Sequence, residues 1–163
     1  MSLKEPFGDP LYRPAVGMML LNEENKIFVG QRADYEADAW QMPQGGIAPH
    51  EDVDQAMLRE LDEEVGTRNV EILVKSKKWY KYDLPRELAK RLWRGKYKGQ
   101  QQIWYALRFC GEDSDINIQT YHPEFREWKW IEKEDLLDLI IPFKRDLYTQ
   151  VLEDLWPYVL RES

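Results

Sequence analysis

The chain has 163 residues, of which 43% are hydrophobic and 13% aromatic, which predicts one globular domain spanning 1–163 rather than a disordered chain. Its net charge of −7 argues against adhesion to polyanions, so neither DNA nor a membrane is expected as a partner. No apolar run approaches the roughly 20 residues of a membrane span, and no signal-peptide pattern opens the chain. With Cys110 as the only cysteine, these features predict a cytoplasmic protein without a structural zinc site.

The first half of the chain predicts three strands. Residues 15–22 and 26–32 are apolar runs around the polar turn NEEN, and they predict a strand pair. Residues 40–43 predict a short strand that ends at its proline, and the two glycines that follow, Gly45 and Gly46, predict a loop.

The clearest helical pattern comes after that loop. Asp52 with Gln55 predicts a capping box at the start of the helix, and Gly66 predicts its end. Apolar residues recur at every fourth position and predict a buried stripe: Val53, Met57, Leu61 and Val65.

The second half of the chain is also mixed. Strands are predicted at 70–84, 101–110 and 125–131. The terminal segment 143–160 predicts a helix whose core stripe begins at Phe143. Strands and helices combined around one central amphipathic helix predict an α/β sandwich.

Four carboxylates crowd the end of the central helix, in RELDEEVG. At about 100° per residue, Glu60, Glu63 and Glu64 share one face beside the buried stripe, whereas Asp62 points to the far side. Like charges this close repel each other, and a divalent cation removes that cost. Because Mg²⁺ prefers hard oxygen ligands completed by waters and phosphates, this face predicts a Mg²⁺ site. A solvated acidic helix is the simpler alternative, and a calcium-binding surface would need more oxygen ligands.

The spacing around these carboxylates is G-x5-E-x7-R-E-U-x-E-E-x-G, from Gly45 through Glu51 to Gly66, where U is aliphatic. It resembles the Nudix box at every specified position through Gly66, and only the last position, usually aliphatic, differs as Thr67. The resemblance implies the Nudix fold, an α/β/α sandwich with a central mixed sheet. It also implies metal-dependent cleavage of a nucleoside diphosphate linked to another group. A non-catalytic Nudix module is the alternative, although such modules typically lose box glutamates that this chain keeps.

The resemblance further assigns roles to individual residues. Arg59 and Glu51 are expected to orient the acidic side chains. Either Glu63 or Glu124 is expected to be the general base, and Glu124, in PEF, alternatively is a plain surface carboxylate. The metal, Mg²⁺ or Mn²⁺, is expected at a carbonyl and four carboxylates: Gly45, Glu60, Glu63, Glu64 and Glu124.

Segments outside the box resemble one subgroup, the bacterial RNA pyrophosphohydrolases and the plant-type diadenosine tetraphosphate hydrolases. These segments are YRPAVG, WQMPQGGI, KWYKYDLP, GQQQIWY, PEFREWKW and PFKRD. The implied substrates are 5′-triphosphorylated RNA ends, whose processing would initiate mRNA decay, and dinucleoside polyphosphates. A house-cleaning hydrolase of damaged nucleoside triphosphates is the alternative enzyme.

Five residues are the expected substrate contacts of that resemblance. Phe143 matches an aromatic that stacks on an RNA base, although it equally suits the core. Tyr82 matches a tyrosine near the phosphates in dinucleotide-cleaving members, although strand packing explains it as well. The expected phosphate contacts are Arg32, Lys144 and Arg145.

One strand departs from the subgroup. Relatives commonly carry lysines in GQKQKWF, where this chain has Gln101 and Ile103, and the change removes two cationic contacts. The segment 85–99 contains six lysines and arginines against one glutamate. It is either an ordinary solvated surface or a compensating contact for an RNA strand that leaves the site.

Overall fold

The computed structural model describes residues 9–34, 39–120 and 123–162, so His122 lies outside the described ranges. The strands of these ranges form one sheet: β1 (Tyr12–Leu21), β2 (Ile27–Arg32), β3 (Trp40–Gln41), β4 (Gln44–Gly46), β5 (Val70–Lys75), β6 (Tyr80–Asp83), β7 (Gly99–Phe109) and β8 (Phe125–Ile131). The helices are α1 (Val53–Val65), α2 (Arg86–Trp93), α3 (Leu136–Leu139) and α4 (Arg145–Arg161).

The sheet is mixed. Its main strand order is β3-β2-β1-β7-β5, with β4 paired to β1, β6 to β7 and β8 to β2. The central strands β1 and β7 run parallel along the whole of β1, from Tyr12 opposite Gly99 to Leu21 opposite Arg108. The other pairings are antiparallel.

Helices cover both faces of the sheet. On β7, Ile103 and Tyr105 are buried in the same cluster as the apolar stripe of α1, whereas Trp104 and Ala106 are buried with that of α4. This alternation follows from the two-residue side-chain period of a strand. The α/β/α sandwich around a mixed sheet, expected from the sequence, is therefore confirmed.

Helix α1 begins after Asp52 and ends before Gly66, as predicted, although only the Asp52 half of the predicted capping box is present among the contacts of the described residues. Asp52 accepts hydrogen bonds from the backbone N–H groups of Asp54 and Gln55, which are otherwise orphan donors of the first turn. Gly66 adopts a left-handed conformation with φ of 80°, and its N–H donates to the Asp62 carbonyl. Thr67, the departure from the box, is buried, and its hydroxyl accepts from the N–H of Asn69.

Three sequence-based predictions were wrong in detail. The predicted strand 70–84 is divided into β5 and β6, because the Ser76 hydroxyl accepts from the N–H of Trp104 and donates to the Lys78 carbonyl, which closes a turn. Gly45 and Gly46 lie in β4 rather than in a loop, since their backbone pairs with β1. The terminal helix begins at Arg145, and Phe143 belongs to the 3-10 turn before it.

In the described ranges, no helix combines the length and the apolar character that crossing a membrane would require.

Candidate active site

Strand β4 brings its backbone against α1 at Gly45. A Cβ on Gly45 would lie 2.0 Å from the carboxyl carbon of Glu60, so only glycine leaves room for that carboxylate beside the chain. Pairing with Val16 of β1 holds Gly45 in register. The sheet edge and the acidic face of α1 therefore meet at this point.

Arg59 links the box together. Its guanidinium makes a bidentate ion pair with Glu51, with N···O distances of 2.8 and 2.9 Å, and donates to the Gly46 carbonyl at 2.9 Å. Its Nη1 donates to Glu60 at 2.8 Å and to Glu63 at 3.3 Å. Arg59 holds the pKa of Glu51 below its ordinary value, so Glu51 stays ionised and anchors the guanidinium.

Two carboxylates of the acidic face are desolvated. Glu64 is only 3% exposed, and its Oε2 accepts from the N–H of Gln44 at 2.9 Å. Burial, together with the charges of Glu60 and Glu124, raises its pKa well above the ordinary value. Burial raises the pKa of Glu60 to about 7 against the opposing effect of Arg59, with Glu63 and Glu124 adding to the rise. The pair is thus held at close quarters where ionisation is unfavourable.

Glu63 and Glu124 are the exposed carboxylates of the site. The Glu63 side chain is 57% exposed and is oriented by its contact with Arg59. Glu124 stands just before β8, where its carbonyl accepts from the N–H of Ala33 at 2.9 Å. Glu124 lines the same cleft as Glu60 and Glu64, and its charge raises the pKa of both. It therefore lies near the box although it is distant in sequence.

These oxygen donors suit a divalent cation. Carboxylates and a backbone carbonyl are the hard ligands that Mg²⁺ prefers, and a cation would offset the repulsion between Glu60 and Glu64. Over residues 9–34, 39–120 and 123–162, no three acidic, histidine or cysteine side chains converge into a ready-made cage. Waters and substrate phosphates would therefore complete the coordination, as is usual for Mg²⁺.

A cleft of about 1060 Å³ opens over the acidic face. It is lined by nine of the residues singled out in the sequence: Arg32, Gly45, Glu60, Glu63, Glu64, Tyr82, Glu124, Phe143 and Lys144. Arg59 lies behind Glu60 and holds it, and Arg145 is exposed at the start of α4, outside the lining of this cleft.

The cationic and aromatic residues of the cleft are held by neighbours. Arg32 makes a bidentate ion pair with Asp34 at 2.9 and 2.6 Å. Lys144 is buried and donates to the side-chain carbonyls of Gln41 and Gln44, and burial lowers its pKa to about 7.

Tyr82 and Phe143 lie ring against ring, with centroids 6.3 Å apart. Both side chains line the cleft, and Phe143 also packs against the core on the α4 side of the sheet. Phe143 is half-buried, so its position is compatible with both roles that the sequence left open, a core residue and a stacking surface for a base.

The departure in β7 does not touch the cleft. Ile103 is fully buried against α1, and Gln101 is buried with its amide donating to the carbonyls of Asp9 and Tyr12. The cleft instead receives Gln100, whose side chain accepts from the hydroxyl of Tyr82.

Sequence reasoning missed several residues that line the cleft, Arg13 and Gln44 among them. Arg13 lies with its guanidinium against Gly46, where a Cβ would come within 2.3 Å of it. Gln44 positions Glu64 through its N–H and Lys144 through its side chain. Both lie in segments that resemble the subgroup, YRPAVG and WQMPQGGI. A single charged residue such as Arg13, or an uncharged one such as Gln44, forms no spaced motif that would identify it.

Known proteins resemble this chain in sequence and in fold. A model of the NUDIX domain matches residues 11–151. An RNA pyrophosphohydrolase of Rickettsia bellii is 52% identical over 143 residues, which cover 88% of this chain and 89% of that protein. One of Dinoroseobacter shibae is 53% identical over 144 residues, covering 87% and 90%. The solved structure of an E. coli dihydroneopterin triphosphate pyrophosphohydrolase has a TM-score of 0.65 at 19% identity, covering 86% of this chain and 96% of that one. Because the domain match spans most of the chain and these relatives share half of its residues, the chain belongs to the Nudix family.

Proposed function

We propose that this protein is a cytoplasmic, Mg²⁺-dependent hydrolase that removes pyrophosphate from the 5′-triphosphate end of RNA, with Mn²⁺ as an alternative metal. The observation that carries the proposal is the desolvated pair Glu60 and Glu64 in a cleft that also contains Arg32 and Lys144. Carboxylates facing cations across one cleft suit a metal-bound polyphosphate. The half-identical relatives named RNA pyrophosphohydrolases support RNA as the substrate.

We assign the carboxylates different roles according to their exposure. Glu60, Glu64 and the carbonyl of Gly45 would hold the cation, with Glu63 and Glu124 at its solvent side. When bound, the metal supplies charge neutralisation on the phosphate oxygens and a more acidic water. The exposed Glu63, oriented by Arg59 at 3.3 Å, is our choice for the group that accepts the proton of the attacking water, and Glu124 is the alternative.

The other end of the cleft suits a nucleotide. Arg32 and Lys144 would contact the phosphates, since both side chains line the cleft. The Tyr82–Phe143 pair offers an aromatic surface for a base, and stacking there would be independent of base identity. Arg145 remains a phosphate contact only for a substrate that extends beyond the cleft.

A dinucleoside polyphosphate is the second candidate substrate. The same aromatic pair would stack on its base, and its polyphosphate has the chemistry that the acidic and basic groups require. The complete set of box glutamates argues against a non-catalytic module. The relatives at about 50% identity are named RNA pyrophosphohydrolases, so they do not support a house-cleaning hydrolase of nucleoside triphosphates.

The proposal is tested by assaying hydrolysis of 5′-triphosphate RNA and of diadenosine tetraphosphate in parallel, with and without Mg²⁺. We expect pyrophosphate release from RNA to exceed dinucleotide cleavage, and Glu63→Gln to reduce kcat at least about 100-fold. Asp62→Asn is the matched control, because Asp62 lies on the same helix but pairs with Arg68. Predominant cleavage of the dinucleotide would show that a dinucleoside polyphosphate, and not RNA, is the preferred substrate. If folded protein supplied with Mg²⁺ hydrolysed neither compound, the proposal would be refuted.

A further inference from the structure

Helix α2 forms one wall of the active-site cleft. Arg91, Leu92 and Trp93 line the same cleft as the box glutamates. The helix is thinly anchored, since Ala89 is its only buried residue, and Leu92 is 52% exposed. Helix α2 therefore presents most of its side chains to the cleft or to solvent.

The charge of α2 is opposite to that of the protein. The segment 85–99, which contains α2, carries six cations and one carboxylate in a chain whose net charge is −7. Arg86, Lys90, Arg91 and Arg94 form no ion pair with any part of the chain that the structure describes. Their charge is therefore available to an anion, and it does not serve to anchor the helix.

An aromatic side chain stands among these cations. Trp93 is partly exposed, and its ring meets that of Tyr97 edge to face at 5.8 Å. After Trp93 the chain turns through two left-handed residues, Arg94 at φ 54° and Gly95 at φ 79°, which bring Tyr97 back to the helix. Cations interleaved with aromatic rings along a groove are characteristic of proteins that bind single-stranded nucleic acid.

We propose that the α2 rim, defined as Lys90, Arg91, Leu92, Trp93 and Arg94, binds the single-stranded RNA downstream of the nucleotides held in the cleft. The proposal rests on the proposed function for the position of the 5′ end. Backbone phosphates contact the cations, and a base stacks on Trp93. The rim gives the enzyme a preference for RNA, because a dinucleoside polyphosphate has no downstream strand to contact the whole rim.

Two variants of the rim test this. Lys90→Gln/Arg91→Gln/Arg94→Gln removes charge, and Trp93→Ala removes the ring. Lys26→Gln/Arg68→Gln/Arg161→Gln is the matched control, because it removes the same charge from surfaces outside the cleft lining. Each is placed in Glu63→Gln protein, and the Kd for a 5′-triphosphate RNA of about 12 nucleotides, within the span of known single-strand sites, is measured against salt. KM for RNA and for diadenosine tetraphosphate is measured without the Glu63 change.

We expect the charge variant to weaken RNA binding about tenfold or more and to reduce the slope of log Kd against log salt by about 2, as for three lost single-strand contacts. Trp93→Ala should weaken RNA binding about tenfold with the slope unchanged. The KM for the dinucleotide should rise less than the KM for RNA, because the dinucleotide lacks the downstream strand, and all values of the control should stay within about twofold of wild type. Circular dichroism and thermal unfolding establish that each variant is folded.

The outcomes separate this inference from the proposed function. Equal losses for RNA and dinucleotide, or an equal loss in the control, would overturn the α2 rim. RNA binding through the rim without hydrolysis of either substrate would refute the proposed function and leave the rim standing. RNA hydrolysis by the wild type, together with normal RNA binding by both rim variants, would refute the α2 rim and support the proposed function.

Discussion

Arg59 shows how much one side chain determines at this site. Its guanidinium contacts two groups that precede α1, Glu51 and the Gly46 carbonyl. It also contacts two carboxylates of α1, Glu60 and Glu63. A planar guanidinium presents five donors in fixed directions, whereas an ammonium presents a single point of charge. The acidic face is therefore arranged by geometry as well as by neutralisation of charge.

Arg59→Lys tests that distinction, because it keeps the charge and removes the fork. We expect kcat to fall about tenfold or more, since the bidentate pair with Glu51 and the bond to Glu60 at 2.8 Å are incompatible with one ammonium group. Steady-state kinetics on the preferred substrate measure the effect. Arg68→Lys, at an exposed pair with Asp62, is the control and should be neutral. Equal activity of Arg59→Lys and wild type would show that charge alone suffices.

Gly45→Ala tests the close approach of the backbone to Glu60. The new Cβ would lie 2.0 Å from the carboxylate, so Glu60 must move away from the Gly45 carbonyl. We expect Mn²⁺ affinity to fall about tenfold or more, as for a displaced ligand or its support, measured by titration calorimetry.

Gly95→Ala is the control for that variant. It has open space around its Cβ but a φ of 79°, so it should lose about 1 kcal/mol of stability and keep its metal affinity. Unchanged metal binding by Gly45→Ala would contradict a role for this contact.

At the scale of elements, local signals determined which features could be predicted. Helix α1 is fixed by an N-cap, a four-residue apolar period and a terminal glycine, all within one short segment. The break between β5 and β6 depends on Ser76 bonding Trp104 on another strand, which no local pattern records. Helix α2 spans eight residues, about two turns, and is too short for an apolar pattern to repeat, so only its charge was evident from the sequence.

The strand β7 supports the cleft through a buried amide network. The Gln102 amide donates to Gln100 at 2.8 Å and to Gln44 at 3.3 Å, and its carbonyl accepts from the indole N–H of Trp104 at 2.8 Å. Gln44 in turn holds Glu64 through its backbone N–H. The network links the centre of the sheet to the acidic face.

Gln102→Leu would remove that link while keeping a similar volume. The fully buried site would leave the Trp104 indole N–H and the Gln100 carbonyl without this partner, so we expect a loss of about 1–3 kcal/mol in the free energy of unfolding. Urea denaturation measures it. Gln119→Leu, at an exposed position, is the control. A loss below about 0.5 kcal/mol would mean that the network contributes little to stability.

At the scale of the molecule, the sequence predicted the α/β/α architecture and the grouping of the box carboxylates on one face, but not all of the residues that join them from other segments. The box places three carboxylates on one face because helix geometry is local, and the structure adds the desolvation of Glu60 and Glu64. The partners from distant segments, Arg13 and Gln44, reach the cleft only through β1 and β4 pairing. Tertiary pairing, which leaves no periodic trace, accounts for the missed residues.

Desolvated carboxylates also make the stability of the whole protein dependent on pH. The pKa of Glu64 is raised well above its ordinary value of 4.5 by burial, and that of Glu60 to about 7. A carboxyl whose pKa is higher in the folded chain stabilises the fold fully below the unfolded pKa, and this contribution is lost as pH rises through the folded pKa. In EDTA, these two groups should therefore make wild-type stability decrease as pH rises from about 4.5 to about 7 and beyond.

Glu64→Gln should remove most of that dependence, because the amide keeps an acceptor for the Gln44 N–H and cannot ionise. In EDTA at pH 8 we expect its Tm to exceed that of wild type by about 2–4 °C for each kcal/mol relieved, and the difference should vanish near pH 4. Mg²⁺ should raise the Tm of wild type more than that of the variant, since a ligand stabilises the state that binds it. Asp62→Asn should follow wild type throughout. A Glu64→Gln protein less stable than wild type at pH 8 in EDTA would show that the ionised carboxylate is already compensated within the protein, and that the cation is not required to relieve it.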